Sequence, residues 1–385
     1  MKLRMGGRKM ANNLKTTTMS FGSPGRYLQG AGELDNLPKI TANYGDNVFV
    51  IIDQFFYETL TKRLTESYKK SKGTLETVVF NAEVSAEQVA KTSKAAAKIK
   101  PSVVVGIGGG KTLDTAKAVA DDMEVPVVIV PTSASTDAPT SSLSVMYSPE
   151  GEHLHARKYI KSPDVVLVDS RIIADAPVRF LVSGMGDALA TVFEARANDL
   201  SDSANYIAGE LGEFRRTKTA LVIAQACYDL LLANGLKAKL AAENHCVTEA
   251  LETIIEVNTL MSGLGFENTG CAAAHSICEG ITAVPDAGKM LHGEQVAFGV
   301  LCQLVAENAS NELIDEVVTF CMSVGLPITL EDVQVNPTRE NVEIIAKSSV
   351  ENSYWAAQPA PVTVESVVDI VFAADAIGKY YYAQA

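Results

Sequence analysis

The first half of the chain is punctuated by short, nearly continuous apolar runs rich in β-branched residues. They are Asn47–Ile52 (NVFVII), Thr77–Phe80 (TVVF), Ser102–Ile107 (SVVVGI), Pro126–Val130 (PVVIV) and Val165–Val168 (VVLV). Continuous rather than alternating apolarity predicts strands covered on both faces, as in a parallel sheet. Helical patterns at Ser85–Lys98 and Thr112–Asp121 lie between them. Alternating strand and helix predicts a doubly wound α/β domain. Past about Ala176 the strand signals stop. Arg215–Ala233, Glu243–Ser262 and Glu294–Ala309 combine good helix formers with apolar residues at three- and four-residue spacing. Gly270, Ala272, Ala273 and Ala274 would let helices approach closely. The predicted organisation is a mobile arm over residues 1–18, an α/β domain with a parallel sheet over 19–178, and an all-α domain over 179–385.

Composition narrows the partners. The 385 residues carry a formal net charge of −13. That acidity argues against nucleic acid, which needs clustered Lys and Arg. No apolar run approaches the length of a membrane span. The basic, polar opening MKLRMGGRKMANNLKTTT lacks the apolar stretch of a secretory signal. The 6 cysteines form no C-x-x-C pair, so buried free thiols in a reducing, cytoplasmic setting are expected.

GIGGGKTLDTAKA, Gly106–Ala118, follows a strand and opens a helix. That is the setting of a loop whose backbone N–H groups cradle a phosphate. Its candidate contacts are Gly108, Gly109, Gly110, Lys111 and Asp114. The dinucleotide pattern G-x-G-x-x-G has Lys111 at its last glycine, and the P-loop pattern has Val105 at its first. A tight strand-to-helix turn is the other reading. Asp53 ends the first strand. A carboxylate there can accept from ribose hydroxyls and repel a 2′-phosphate, favouring NAD over NADP; a strand-end turn is the plainer alternative. PTSASTDAPTSSLSVMY, Pro131–Tyr147, brings many hydroxyls after another strand. Asp137 is its only charge and a candidate substrate contact.

Two of the 5 histidines, His275 and His292, fall in one small-residue stretch, and Asp187 sits in a similar setting, SGMGDALAT. One carboxylate and two imidazoles make a three-ligand site for a divalent metal with an open position, where a substrate oxygen can be polarised. Zinc suits this set, and iron would accept it. A lone histidine in a helical core is more often a hydrogen-bonded structural residue than a ligand; His153, His155 and His245 are read as surface or core residues.

SPGRYLQGAGEL, GIGGGKTLDTAKA, PTSASTDAPTSSLSVMY, GMGDALATVFEARA, GFENTGCAAAHSICEGITAVPDA and HGEQVAFG together span nearly the whole chain. On these segments the chain resembles the glycerol dehydrogenases of the metal-dependent, iron-type alcohol dehydrogenase superfamily. The resemblance implies a dehydroquinate synthase-like architecture and often an octameric homo-oligomer. It implies that Asp187, His275 and His292 hold a catalytic zinc, with Thr191 where iron-using relatives would place a histidine. It implies that Gly110, Lys111, Thr132, Ser135, Ser141, Leu143 and Tyr147 line the NAD site, with Asp53 at the adenosine ribose and Asp137 at the substrate diol. The expected reaction is the reversible oxidation of glycerol to dihydroxyacetone. Relatives commonly carry N-M-P before the last helix; here Ala357, Gln358 and Pro359 follow Tyr354 and Trp355, which opens the choice of alcohol. A cyclase of the dehydroquinate synthase type, also using NAD and zinc, is the rival. Its phosphorylated substrate calls for basic residues, and only Lys289 lies near the motifs.

Overall fold

The structure is a computed structural model and describes residues 14–69, 73–207, 212–285, 287–358 and 361–384. Most of the expected N-terminal arm, residues 1–13, lies outside the described residues. Leu14 is buried, and Ser20 N–H donates to the Arg215 carbonyl at 3.1 Å. The chain forms two compact units. One comprises Gly22–Met185 and Ala233–Leu264; the other comprises the chain up to Phe21, Gly186–Leu232 and Gly265–Ala385.

The first unit is built on a parallel sheet. Its strands are β1 (Tyr27–Gly30), β2 (Asn47–Asp53), β3 (Thr74–Phe80), β4 (Val103–Gly108), β5 (Val127–Pro131) and β8 (Val165–Asp169), in the order β1-β8-β5-β4-β2-β3. β4, β5 and β8 are buried along their whole length, which is why their sequences are apolar without alternation. The crossovers from β2 to β3 and from β3 to β4 place the last two on opposite sides of β2. The carboxyl ends of β2 and β4 therefore flank a topological switch point, where open α/β sheets bind ligands. A hairpin of β6 (Leu143–Tyr147) and β7 (His153–Lys158) stands apart from the sheet. It interrupts the stretch read from sequence as a hydroxyl-rich loop.

The 233–264 stretch is helical yet belongs to this unit. The expected single helix over Glu243–Ser262 is instead a helix Glu249–Glu256, a π-helical turn Val257–Met261 and a further helix from Ser262. The break before it has a local cause. His245 adopts a left-handed φ of 53°, and the Thr248 hydroxyl caps the new helix by accepting from Leu251 N–H at 3.3 Å. The Glu252 carboxylate ties this segment to the sheet, accepting from Gln29 Nε2 and Ser170 Oγ, each at 2.6 Å.

The second unit is helical. Ala273–Thr282 packs against His292–Ala306 and Arg339–Val350, and Val364–Tyr382 packs against the last two. The hydroxyls of Ser310, Thr338 and Thr363 accept from first-turn N–H groups at the starts of their helices, as the preference for such residues at N-caps predicts. Lys218–Glu243, at 26 residues, is long and apolar enough to cross a bilayer by length and composition. Gln225, Asp229 and Lys237 break its sequence into short apolar runs, so no continuous run announced it. All 6 cysteines are free; Cys246 is exposed and the others are buried.

Candidate metal centre and nucleotide cradle

Three helices of the second unit deliver the candidate ligands. Asp187 lies on Val178–Ser201, His275 in the first turn of Ala273–Thr282, and His292 at the first position of His292–Ala306. Asp187 Oδ1 stands 3.5 Å from His275 Nε2 and 3.3 Å from His292 Nε2. One donor atom from each of the three lies within 4.8 Å of the others. Ligand atoms about 2.1 Å from a tetrahedral zinc are about 3.3–3.4 Å apart, so the donor spacing and the O,N,N chemistry fit such an ion. The Asp187 side chain is 1% exposed, His275 15% and His292 45%, so the cluster opens toward solvent on the His292 side.

Both imidazoles turn Nε2 toward Asp187 and Nδ1 outward. His275 Nδ1 is 2.7 Å from Glu194 Oε2. The other carboxylate oxygen of Glu194 accepts from the N–H groups of Ala272 at 2.7 Å and His275 at 3.0 Å. A carboxylate only accepts, so Nδ1 of His275 carries a proton, and a ring without a second proton would offer its Nε2 lone pair to an ion. His292 Nδ1 meets a thiol instead, Cys278 Sγ at 3.5 Å. Glu194 and Cys278 were not read from the sequence. Seven-residue spacing on one helix places Glu194 on the Asp187 face and could have found it.

The electrostatics suit a cation. Burial alone would raise the Asp187 carboxyl, but the His292 charge and hydrogen bonds from both histidines outweigh it and hold it well below the usual carboxylate range. Desolvation disfavours both imidazolium forms. At His275 the Cys271 thiol and the Glu194 carboxylate oppose it, and the ring is held well above its ordinary value. At His292 Cys278 and Asp187 do the same. Thr191, one turn beyond Asp187, is buried, and a Cβ placed on Gly265 would lie 2.1 Å from its Cγ2. Helix-to-helix contact fills the space that a histidine there would need.

The first unit carries the predicted cofactor residues. At the switch point a Cβ on Gly108 would lie 2.7 Å from Thr112 and 2.9 Å from Asp53 Cβ; only glycine lets the two strand ends come together. Asp53 Oδ1 accepts from Phe55 N–H at 2.9 Å, making the strand-end turn, and Oδ2 accepts from Thr112 Oγ1 at 3.3 Å. Gly109 is the N-cap of the helix Gly110–Asp122 without a side-chain cap, and a Cβ on Gly109 or Gly110 would meet nothing within 4 Å. The backbone there is open to an anion. Lys111 Nζ pairs with Glu83 at 2.6 Å and lies 5.7 Å from the Tyr147 ring centroid. Thr132 N–H donates to the Gly108 carbonyl at 3.0 Å.

Other predicted residues in this unit hold the loop in place. Asp114 is buried; its Oδ1 pairs with Lys117 at 3.2 Å and its Oδ2 accepts from Val145 N–H at 2.9 Å. Lys117, also buried, donates further to the Ala138 and Leu143 carbonyls and to Ser141 Oγ. Ser135 Oγ is 3.1 Å from Ser133 Oγ, and its carbonyl accepts from Ser183 Oγ at 3.3 Å. Asp137 Oδ2 accepts from Ser262 Oγ at 2.9 Å. Asn258, on the π-helical turn, donates to the Ala134 and Leu181 carbonyls at 2.9 and 3.0 Å. Lys117 and Asn258 were not read from the sequence: each looks like a surface residue there and is buried here.

In the helical unit, the segment Ser353–Ala357 packs beside the His275 helix. Ser276 Oγ donates to Asn352 Oδ1 at 2.6 Å. Trp355, Ala357 and Gln358 are buried, and Pro359 lies outside the described residues.

The iron-containing alcohol dehydrogenase family model matches residues 24–170. A glycerol dehydrogenase of Thermotoga maritima is 45% identical over 366 residues, covering 94% of this chain and 98% of that protein. One of Pseudomonas putida is 45% identical over 363 residues, covering 93% and 98%. The crystal structure of glycerol dehydrogenase from Schizosaccharomyces pombe aligns with a TM-score of 0.91 at 34% identity, covering 96% of this chain and 93% of that one. On this similarity along nearly its whole length, the chain belongs to the glycerol dehydrogenases of the iron-containing alcohol dehydrogenase family and is an oxidoreductase acting on alcohols.

Proposed function

We propose that this protein oxidises glycerol and related vicinal diols reversibly with NAD, giving dihydroxyacetone from glycerol, and that its metal is zinc. The observation that carries the reading is the meeting of Asp187 Oδ1 with the Nε2 atoms of His275 and His292. When bound, the metal supplies Lewis acidity toward a substrate oxygen and NAD supplies the hydride acceptor.

The remaining work belongs to the chain. Asp187 contributes one negative charge and the histidines none, so a divalent ion among them keeps net positive charge. Glu194 and Cys278 meet the two rings at Nδ1, so that both Nε2 atoms face inward. Gly109 and Gly110 leave backbone N–H groups open for the pyrophosphate. Asp53 accepts from the adenosine ribose and disfavours NADP. Asp137 is the carboxylate proposed to receive a substrate hydroxyl, and the family's diol substrates supply two neighbouring ones. Zinc is favoured because imidazole and carboxylate suit it without a cysteine and Thr191 adds no third imidazole.

The test is NADH formation by purified protein with glycerol, propane-1,2-diol and butane-2,3-diol, before and after chelation and zinc readdition. The reading expects loss with chelator, recovery with zinc and little turnover with NADP. Undiminished NADH formation by metal-stripped protein would overturn it.

A further inference from the structure

The second candidate ligand is held by a chain of hydrogen bonds that ends at a backbone carbonyl. Gln295, 3% exposed, lies one turn beyond His292 on the same helix, and its Nε2 donates to the Ala287 carbonyl at 3.1 Å. A carbonyl only accepts, so the amide nitrogen must face it and Oε1 must face the other way. That oxygen is 3.7 Å from Cys278 Sγ. The other acceptor within reach of the thiol, the His292 carbonyl, is 3.9 Å away. An S–H aimed at His292 Nδ1 would leave both oxygens facing sulfur lone pairs. The thiol therefore donates to oxygen, and its lone pairs receive Nδ1–H of His292 at 3.5 Å.

We infer that Cys278 and Gln295 are positioning residues that set the His292 tautomer, leaving its Nε2 lone pair aimed at the Asp187 cluster. The inference rests on the proposed metal site. One helix thus supplies the ligand His275 and, one turn later, the residue that orients the other ligand. The two histidines are not equivalent, because a carboxylate holds His275 and a cysteine sulfur, a weaker acceptor, holds His292.

The experiment is zinc affinity of the metal-stripped protein, measured by competition with a chromogenic chelator, together with the visible spectrum of the cobalt(II)-loaded protein. Losing an outer partner of a metal-bound histidine typically costs 10–100-fold in metal affinity. Cys278→Ala and Gln295→Leu are each expected to weaken zinc binding by about 10-fold or more and to alter the cobalt spectrum. The double variant is expected to fall no further, because both act through one chain. Cys278→Ser, which can accept and donate in the same places, is expected to keep most of the affinity. Cys302→Ala, a fully buried thiol on the His292 helix, controls for packing loss and is expected to bind zinc as wild type does. Wild-type zinc affinity in Cys278→Ala, or equal loss in Cys302→Ala, overturns the inference. Failure of the wild-type protein itself to bind zinc or cobalt overturns the metal site instead.

Discussion

Asp187 and Glu194 lie seven residues apart on one helix and take opposite edges of the same imidazole: Oδ1 of Asp187 is 3.5 Å from Nε2 of His275, and Oε2 of Glu194 is 2.7 Å from Nδ1. One carboxylate completes the donor set and the other sets the direction of the ring. Glu194→Gln keeps the shape but presents an amide to a ring N–H that needs an acceptor. Its zinc affinity is expected to fall about 10–100-fold. Chelator competition checks this, and wild-type affinity in Glu194→Gln would remove Glu194 from the account.

Gly109 separates ligand binding from folding. A Cβ there meets nothing within 4 Å, and its φ of −83° suits any residue. Gly109→Ala is expected to fold with wild-type stability while NAD binding weakens, because the added methyl enters the space proposed for the pyrophosphate. Calorimetric titration with NAD, with thermal unfolding on the same sample, checks it. Unchanged NAD affinity would move the cofactor away from this loop.

Gly108→Ala should behave differently. Its Cβ would lie 2.7 Å from Thr112 and 2.9 Å from Asp53, so the two strand ends must part. Stability is expected to fall by about 1–3 kcal/mol and NAD affinity with it. Denaturation and NAD titration of the same variant read both.

Lys117 and Asp114 form a buried pair that ties the glycine-loop helix to the 138–145 segment. Lys117→Met strands the Asp114 charge and is expected to cost about 3–5 kcal/mol near neutral pH. Burial pushes the Asp114 carboxyl up, while Lys117 and the Val145 N–H pull it back. Burial already prevails with the lysine in place, and without it the folded pKa stands still further above the unfolded one. A raised acid loses stability as pH climbs from the unfolded toward the folded pKa and regains it when protonated. The deficit relative to wild type is therefore expected to shrink toward acid. Denaturant midpoints of both proteins across pH check the sign; a deficit that grows toward acid contradicts it.

Thr191→His tests whether packing rather than chance keeps a third imidazole out. Thr191 Cγ2 presses on Gly265, so the larger ring is expected to destabilise by about 1–3 kcal/mol or more without raising iron affinity. Metal content after iron and zinc loading, with thermal unfolding, decides it.

What was legible in the sequence follows from burial. β2, β4, β5 and β8 are covered on both faces, so their composition announced them. β1 was missed because it has only four partly exposed residues. β7 was missed because His153–Lys158 is almost wholly exposed and has no apolar run, and it forms a strand only by pairing with β6. The ligands were readable as residue types in small-residue settings. Of their outer partners, Glu194 was within reach of the seven-residue spacing to Asp187, whereas Cys278 and Gln295 acquire meaning only when separate helices are brought together. Lys117 shows the same limit: nothing in TAKA says that its charge is buried among four acceptors.

The most direct measurement is a zinc titration of metal-stripped wild-type, Asp187→Asn and His275→Ala proteins by calorimetry. The account predicts one tightly bound ion per wild-type chain and its loss in both variants, with all three proteins folded. A full equivalent retained by His275→Ala, or no binding by the wild type, would contradict it.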